Sequence, residues 1–172
     1  MNLQSNDFEL FGVPERFAQD RAALDTRWKE LQKEAHPDKF AAQGVAAQRV
    51  AMQWSVRINE AYQRLKDPLR RAAYLCELHG APIQAHDNTA MPPAFLMQQM
   101  EWREALEDAS TSAAVDALED EVMQARKAGL ARWEALLDQH GEYPAAAQQV
   151  RALMFIARFA DDIDRRREQL GQ

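Results

Sequence analysis

The segment from Ala35 to Phe40 separates two strongly periodic stretches of this chain. Pro37 cannot continue the helical pattern before it, because its ring clashes with the preceding turn and pushes His36 towards extended backbone. The second periodic stretch begins after Gly44. The two stretches therefore predict an antiparallel helical hairpin, with His36, Pro37 and Asp38 at its tip. A short, stiff, polar tip is poor core material and well suited to contact with other molecules.

Both arms of this hairpin show apolar residues at helical spacing. The first arm carries Leu24, Trp28, Leu31 and Ala35, and the second carries Ala47, Ala51, Trp54, Ile58, Ala61 and Leu65. Intervals of three and four residues place each set on one face of a helix, so the two faces are predicted to form a shared core. The alanines of the second arm are predicted to allow a close approach of the first arm. Asp20 precedes the first arm, and Asp67-Pro68 stops or kinks the second.

A boundary is predicted between residues 81 and 93, which hold three prolines and no hydrophobic period. We predict a first module over residues 1–79, which includes a short joining helix, a linker over 80–92, and a second module over 93–172. The second module shows three helical patterns, at Pro93 to about Asp108, Thr111 to about Asp138, and Pro144 to near the end. Short connections between them favour an antiparallel bundle. The fold class is therefore predicted to be all-α.

The first helix of this bundle has apolar residues on two faces. One face suffices to bury it and consists of Phe95, Trp102, Leu106 and Ala109. A second face holds Leu96, Met97 and Met100, bordered by Glu101, Glu104 and Asp108. This face is either packed against neighbouring parts of the chain or is a patch for a protein partner, since thioethers adapt to irregular surfaces and an acidic rim can orient a partner. Phe155 either extends the patch or packs against Phe159 and the second helix of the bundle.

Composition and charge exclude several classes of protein. With 47% hydrophobic and 28% charged residues, the chain has the composition of a soluble globular protein. The net charge of -6 disfavours general affinity for nucleic acid or anionic lipid. No signal peptide is recognised, and no stretch approaches the ~20 apolar residues that span a bilayer. A single cysteine, Cys76, cannot form an internal disulfide. We expect a cytoplasmic protein without a membrane anchor.

Two rival interpretations rest on short motifs. Cys76 and His79 lie one helical turn apart and could supply two metal ligands, but a buried cysteine beside a histidine at a helix end is favoured. The basic run of residues 165–167 could bind nucleic acid, but with Asp161, Asp162, Asp164 and Glu168 nearby it favours a salt-bridged helix end. No serine follows a glycine-rich elbow. We therefore predict no catalytic residue, no metal site and no cofactor.

An ordered set of motifs along the whole chain identifies a family. The motifs are Leu10-Phe11-Gly12-Val13-Pro14, His36-Pro37-Asp38-Lys39-Phe40, Ile58-Asn59-x-Ala61-Tyr62-x-x-Leu65, Tyr74-Leu75-x-x-Leu78-His79-Gly80 and Ala94-Phe95-Leu96-Met97. The chain resembles the HscB family of iron–sulfur cluster co-chaperones. The resemblance implies an L-shaped arrangement of an amino-terminal J-domain hairpin and a carboxy-terminal three-helix bundle. Met100, Asp108 and Cys76 depart mildly from the family pattern, in ways that preserve the character of each position.

The resemblance also implies a function and its residues. In this family the J-domain stimulates ATP hydrolysis by a DnaK-type chaperone, HscA, and the bundle binds the cluster scaffold protein IscU. The implied chaperone-binding residues are His36, Pro37, Asp38, Lys29 and Lys33. Without the tip beside them, the two lysines would most often be interpreted as part of a solvated helix face. The implied scaffold-binding residues are Leu96, Met97, Met100, Glu101, Glu104, Asp108 and Phe155. The protein is expected to regulate a partner ATPase and not to be an enzyme. The alternative is a general J-domain co-chaperone that presents unfolded clients.

Overall fold

The computed structural model describes residues 2–85 and 89–171, and those residues form helices and turns without any β-strand. The α-helices are α1 (Asp7–Phe11), α2 (Arg21–Glu34), α3 (Val45–Lys66), α4 (Pro68–Leu78), α5 (Pro93–Asp108), α6 (Ser112–Trp133) and α7 (Tyr143–Leu170). A 3₁₀ helix (Pro37–Gln43) precedes α3, and a π-helical segment (Glu134–Gln139) continues α6. The prediction of an all-α fold is confirmed.

The described residues form two compact units, one ending at Leu75 and the other beginning at Cys76. The predicted module boundaries, with a linker over 80–92, stay a prediction, and residues 86–88 of that linker lie outside the described residues.

The core of the first unit lies between α2 and α3. Leu24, Leu31, Ile58 and Leu65 are buried there, and Trp28 stacks on Tyr62 with ring centroids 4.7 Å apart. The two helices run antiparallel, because the start of α2 meets the end of α3: the Arg21 guanidinium lies 3.5 Å from the Lys66 carbonyl oxygen.

Local interactions set the ends of these helices. The Asp20 carboxylate accepts hydrogen bonds from the backbone N–H groups of Ala22 and Ala23, as expected of an N-cap. Gly12, at φ 65°, ends α1 in the left-handed conformation that glycine adopts without strain. Pro68 begins α4 directly after α3 ends.

A buried ion cluster, which we call the Asp7 cluster, joins α1 to α3. The Asp7 carboxylate is held by Arg57 at 2.7 Å and by Arg64 through bonds of 2.6 and 2.9 Å. The Asp7 backbone N–H donates to the Tyr74 hydroxyl at 3.0 Å. The helical period places Arg57 and Arg64 off the apolar stripe of α3, and their long side chains reach back to cover α1.

The second unit packs α5, α6 and α7 around a core that includes Val115, Val122, Trp133, Val150 and Ile156. The N-cap of α6 is Thr111, whose hydroxyl accepts from the Ala114 N–H at 3.2 Å. Thr111, predicted as the first residue of this helix, is therefore its N-cap, and the helix begins at Ser112. At Gly129 a β-carbon would lie 2.9 Å from Leu153, so the glycine permits the close approach of α6 to α7.

A buried arginine fixes the chain ahead of α5. Arg151 of α7 is buried and donates to the carbonyl oxygens of Pro82, Ile83 and Ala90 at 3.0 to 3.3 Å. These bonds satisfy backbone carbonyls of residues that lie outside the helices.

The basic run near the end of α7 is salt-bridged, as the sequence favoured. Arg165 pairs with Asp162, and Arg167 pairs with Asp116, Glu119 and Asp164. Arg166 donates to the backbone carbonyl of Ala109 at 2.9 Å.

Candidate partner-binding surfaces

His36 and Asp38 stand at the solvent-facing tip of the hairpin, with side-chain exposures of 58% and 92%. His36 is the N-cap of the 3₁₀ helix, and its Nδ1 accepts the Asp38 backbone N–H at 3.2 Å. Because Nδ1 acts as an acceptor, the neutral ring carries its proton on Nε2. Pro37 fixes φ at the first position of the 3₁₀ helix. The tip thus presents an imidazole N–H and a carboxylate in a defined order.

The base of the tip is anchored to α3. The Ala35 N–H donates to the Leu31 carbonyl in the last turn of α2, and the Ser55 hydroxyl donates to the Ala35 carbonyl at 3.3 Å. The Gln32 amide donates to the Ser55 carbonyl at 3.3 Å. Since carbonyls at a helix end otherwise lack partners, these bonds hold the tip on a fixed support.

The predicted lysines of this surface lie on α2 with exposed side chains, at Lys29 and Lys33. Glu30 and Glu34 are exposed on the same helix, so its outer surface carries both charges. Arg27 pairs with Glu30 at 3.3 Å.

A second exposed surface lies on α5, and we call it the α5 flank. Leu96, Met97 and Met100 have exposed fractions of 48%, 67% and 66%. The opposite face of the helix buries Trp102. The acidic side chains that the sequence places around this surface are exposed, and they are Glu101, Glu104 and Asp108. The flank is therefore apolar surface in solvent with an acidic border.

Phe155 is not part of the exposed α5 flank. It is 6% exposed, stacks on Phe159 at 5.6 Å and meets Phe95 edge-on at 5.7 Å. The Arg103 guanidinium lies 5.3 Å above its ring. The sequence left two roles open for Phe155, packing in the core and contact with a partner. The structure places it in the core beneath α5, so its assignment to the exposed partner surface is wrong.

The cause of this error is the width of the buried band on α7. Phe155 is buried together with Ile156, Phe159 and Ile163, whereas Ala157 is exposed. Helix α7 contacts both α5 and α6, so a single stripe of three- and four-residue intervals underestimates its buried face.

The rival metal interpretation finds no support near Cys76. The thiol is buried, its Sγ lies 3.8 Å from the Tyr143 carbonyl, and burial raises its pKa to about 11. The His79 ring stacks on Tyr143 at 4.0 Å. Across residues 2–85 and 89–171, no group of three or more His, Cys, Asp or Glu side chains is placed to hold a metal ion. Among the same residues, no helix has the length and apolar character to cross a membrane.

Comparisons with known proteins agree on one family. Residues 91–164 match the model of the HSCB C-terminal oligomerisation domain. A co-chaperone protein HscB homolog of Burkholderia multivorans is 50% identical over 173 residues, which cover 99% of this chain and 98% of that protein. Chaperone HscB from Vibrio cholerae is 40% identical, with a TM-score of 0.79 over 96% of this chain and 99% of that one. Human co-chaperone protein HscB is 26% identical, with a TM-score of 0.86 over 95% of this chain and 83% of the human chain.

Proposed function

This chain belongs to the HscB family of iron–sulfur cluster co-chaperones, and on that basis we propose that it couples two protein contacts. The hairpin tip docks on a DnaK-type chaperone, HscA, and stimulates its ATP hydrolysis. The α5 flank binds the cluster scaffold protein IscU and delivers it to that chaperone. We place this activity in the cytoplasm.

The exposure of His36 and Asp38 on an anchored tip is the observation that carries the proposal. A carboxylate as exposed as Asp38 can form a bidentate, charge-assisted pair with an arginine of the ATPase. His36 offers its Nε2–H beside that pair, and Lys29 and Lys33 extend the contact along α2. The gain in hydrolysis rate comes from the active site of the chaperone. The tip binds the chaperone and favours its hydrolysis-competent state, so it needs no catalytic group of its own.

The α5 flank supports the second contact. Methionine side chains are flexible and polarisable, so Met97 and Met100 suit a folded partner with an irregular surface. Glu101, Glu104 and Asp108 would then set the orientation of the scaffold by pairing with basic residues at the rim. Phe155 contributes from beneath, because it supports Phe95 and hence the position of α5.

The first contact is tested by single-turnover ATP hydrolysis on HscA with a His36→Gln variant. Loss of the imidazole at an exposed site should remove stimulation and leave the helical content unchanged. His140→Gln is the matched control, since His140 is also exposed but lies in the second unit. Full stimulation by His36→Gln would refute the role of the tip.

The second contact is tested with a double variant, Leu96→Ala with Met100→Ala. We expect the affinity for IscU to fall at least tenfold, which corresponds to about 1.4 kcal/mol, with no change in thermal unfolding. Met52→Ala is the matched control, because Met52 is an equally exposed methionine on α3. A double variant that loses helicity and binding together would show that the flank stabilises the fold.

The alternative function, a general J-domain co-chaperone, gives a different result in the same binding assay. It predicts that many extended peptides bind and that the flank substitutions affect them unequally. The proposal predicts one folded partner and no competition from such peptides.

A further inference from the structure

A groove opens beside the tip in the first unit, between the 3₁₀ helix and the beginning of α3. Its volume is about 390 Å³. It is lined by Glu34, Ala35, Phe40, Gln43, Ala47, Val50, Ala51 and Trp54. Most of these side chains are apolar, and Glu34 alone is charged among the described residues that line it.

The groove exists because small residues face two aromatic rings. Ala35, Ala47 and Ala51 present only methyl groups, and Phe40 and Trp54 remain half-buried. The groove is open to solvent, and its volume of about 390 Å³ can admit an aliphatic side chain. Its size and apolar lining therefore suit the side chain of another molecule.

The groove is continuous with the tip. The 3₁₀ helix that carries Pro37 and Asp38 also carries Phe40, and Ala35 directly precedes His36. The tip and the groove lining therefore share the 3₁₀ helix and the residue that caps the end of α2. Lys33 and Lys39 are exposed beside Glu34 and Asp38, so the surroundings of the groove carry both charges, and the basic residue of a bound segment would pair with the exposed Asp38 carboxylate.

We propose that this groove receives an aliphatic side chain of the same chaperone that the tip engages, from a segment that also carries an arginine or lysine. The proposal rests on the proposed function of the tip. The two parts of the surface differ in role: the tip biases the ATPase, and the groove supplies apolar contact and hence affinity.

The test fills the groove in the full-length protein. In Ala47→Leu the larger side chain occupies the space, so the concentration that gives half-maximal stimulation of single-turnover ATP hydrolysis by HscA should rise at least tenfold. The rate at saturation should stay within twofold of the original. Ala46→Leu, an identical change at an exposed neighbour that does not line the groove, is the matched control and should leave both values unchanged.

A second variant covers the case in which Ala47→Leu unfolds. Val50 lines the groove and is half exposed, so Val50→Gln makes the lining polar at little cost in stability. It should raise the half-maximal concentration in the same direction. If either folded variant stimulates like the original protein while His36→Gln does not, the groove proposal is overturned and the function of the tip stands.

Two other outcomes, an inactive role for the tip and self-association of the chain, give results that differ from a refuted groove proposal. Undiminished stimulation by His36→Gln would overturn the proposed function itself, whatever Ala47→Leu does. Sedimentation at the assay concentrations identifies a second copy of this chain as the occupant: a dimer that Ala47→Leu converts to a monomer would overturn the proposal.

Discussion

The Asp7 cluster gives the sharpest prediction about stability. Asp7 has no solvent exposure, and its two partners, Arg57 and Arg64, have side chains that are 16% and 38% exposed. Asp7→Asn keeps the size of the side chain and removes its charge, which leaves the mostly buried Arg57 without an anion. We expect this substitution to destabilise the first unit selectively.

The magnitude follows from the burial of the three partners. Removal of one partner from a buried ion pair costs about 3–5 kcal/mol. The lower end applies here, because Arg64 is more than a third exposed and water can solvate its charge. A loss of about 3 kcal/mol should lower the melting temperature of a unit of this size by roughly 12–24 °C.

Amide hydrogen exchange measured by mass spectrometry assigns this loss to a unit. Peptides from α2 and α3 should lose protection in Asp7→Asn, while peptides from α6 and α7 keep theirs. Asp20→Asn is the control, because asparagine caps a helix as well as aspartate does and Asp20 is exposed. Unchanged protection of α2 and α3 in Asp7→Asn would show that the ion pairs contribute nothing to stability.

Two further predictions concern titration. The Tyr62 hydroxyl, which donates to Asp25 at 2.5 Å, and Arg21 lower the pKa of the Asp25 carboxyl below its ordinary 3.8; Tyr62→Phe should raise that pKa in an NMR titration. Because the folded pKa is depressed, the stability that this bond contributes is present above about pH 4 and disappears as the pH falls below 3.8. Equal acid unfolding of the original protein and Tyr62→Phe would contradict this contribution. The pKa of about 11 at Cys76 leaves roughly one thiol in a thousand ionised at pH 8. Iodoacetamide should therefore label the folded protein far more slowly than the protein in guanidinium, and comparable rates would contradict the burial of this thiol.

Features set by neighbouring residues could be predicted from the sequence. Pro37 ends the first arm by sterics within one turn, and Asp20 caps it through bonds to residues two and three positions later. The exposed tip follows from those two signals. The outward face of α5 was also visible, since Leu96 and Met100 fall opposite Trp102.

Features set by distant residues could not be predicted. Asp7 lies beside Asn6 in the sequence, and its burial depends on Arg64, which follows 57 residues later. Phe155 was ambiguous because part of its surroundings, Phe95 and Arg103, comes from α5. Of the α3 alanines that were predicted to allow close approach, Ala51 and Ala61 are buried, and Ala47 also borders the groove beside the tip. Periodicity identifies a face of a helix but does not tell what covers it.

The most direct test of the two-contact function compares three proteins in one single-turnover ATPase experiment on HscA without scaffold: the original chain, His36→Gln, and Leu96→Ala with Met100→Ala. If the tip and the α5 flank are separate contacts, the flank variant stimulates hydrolysis within twofold of the original and His36→Gln does not stimulate it. Equal loss in both folded variants, or full activity in both, would contradict the assignment of chaperone activation to the tip.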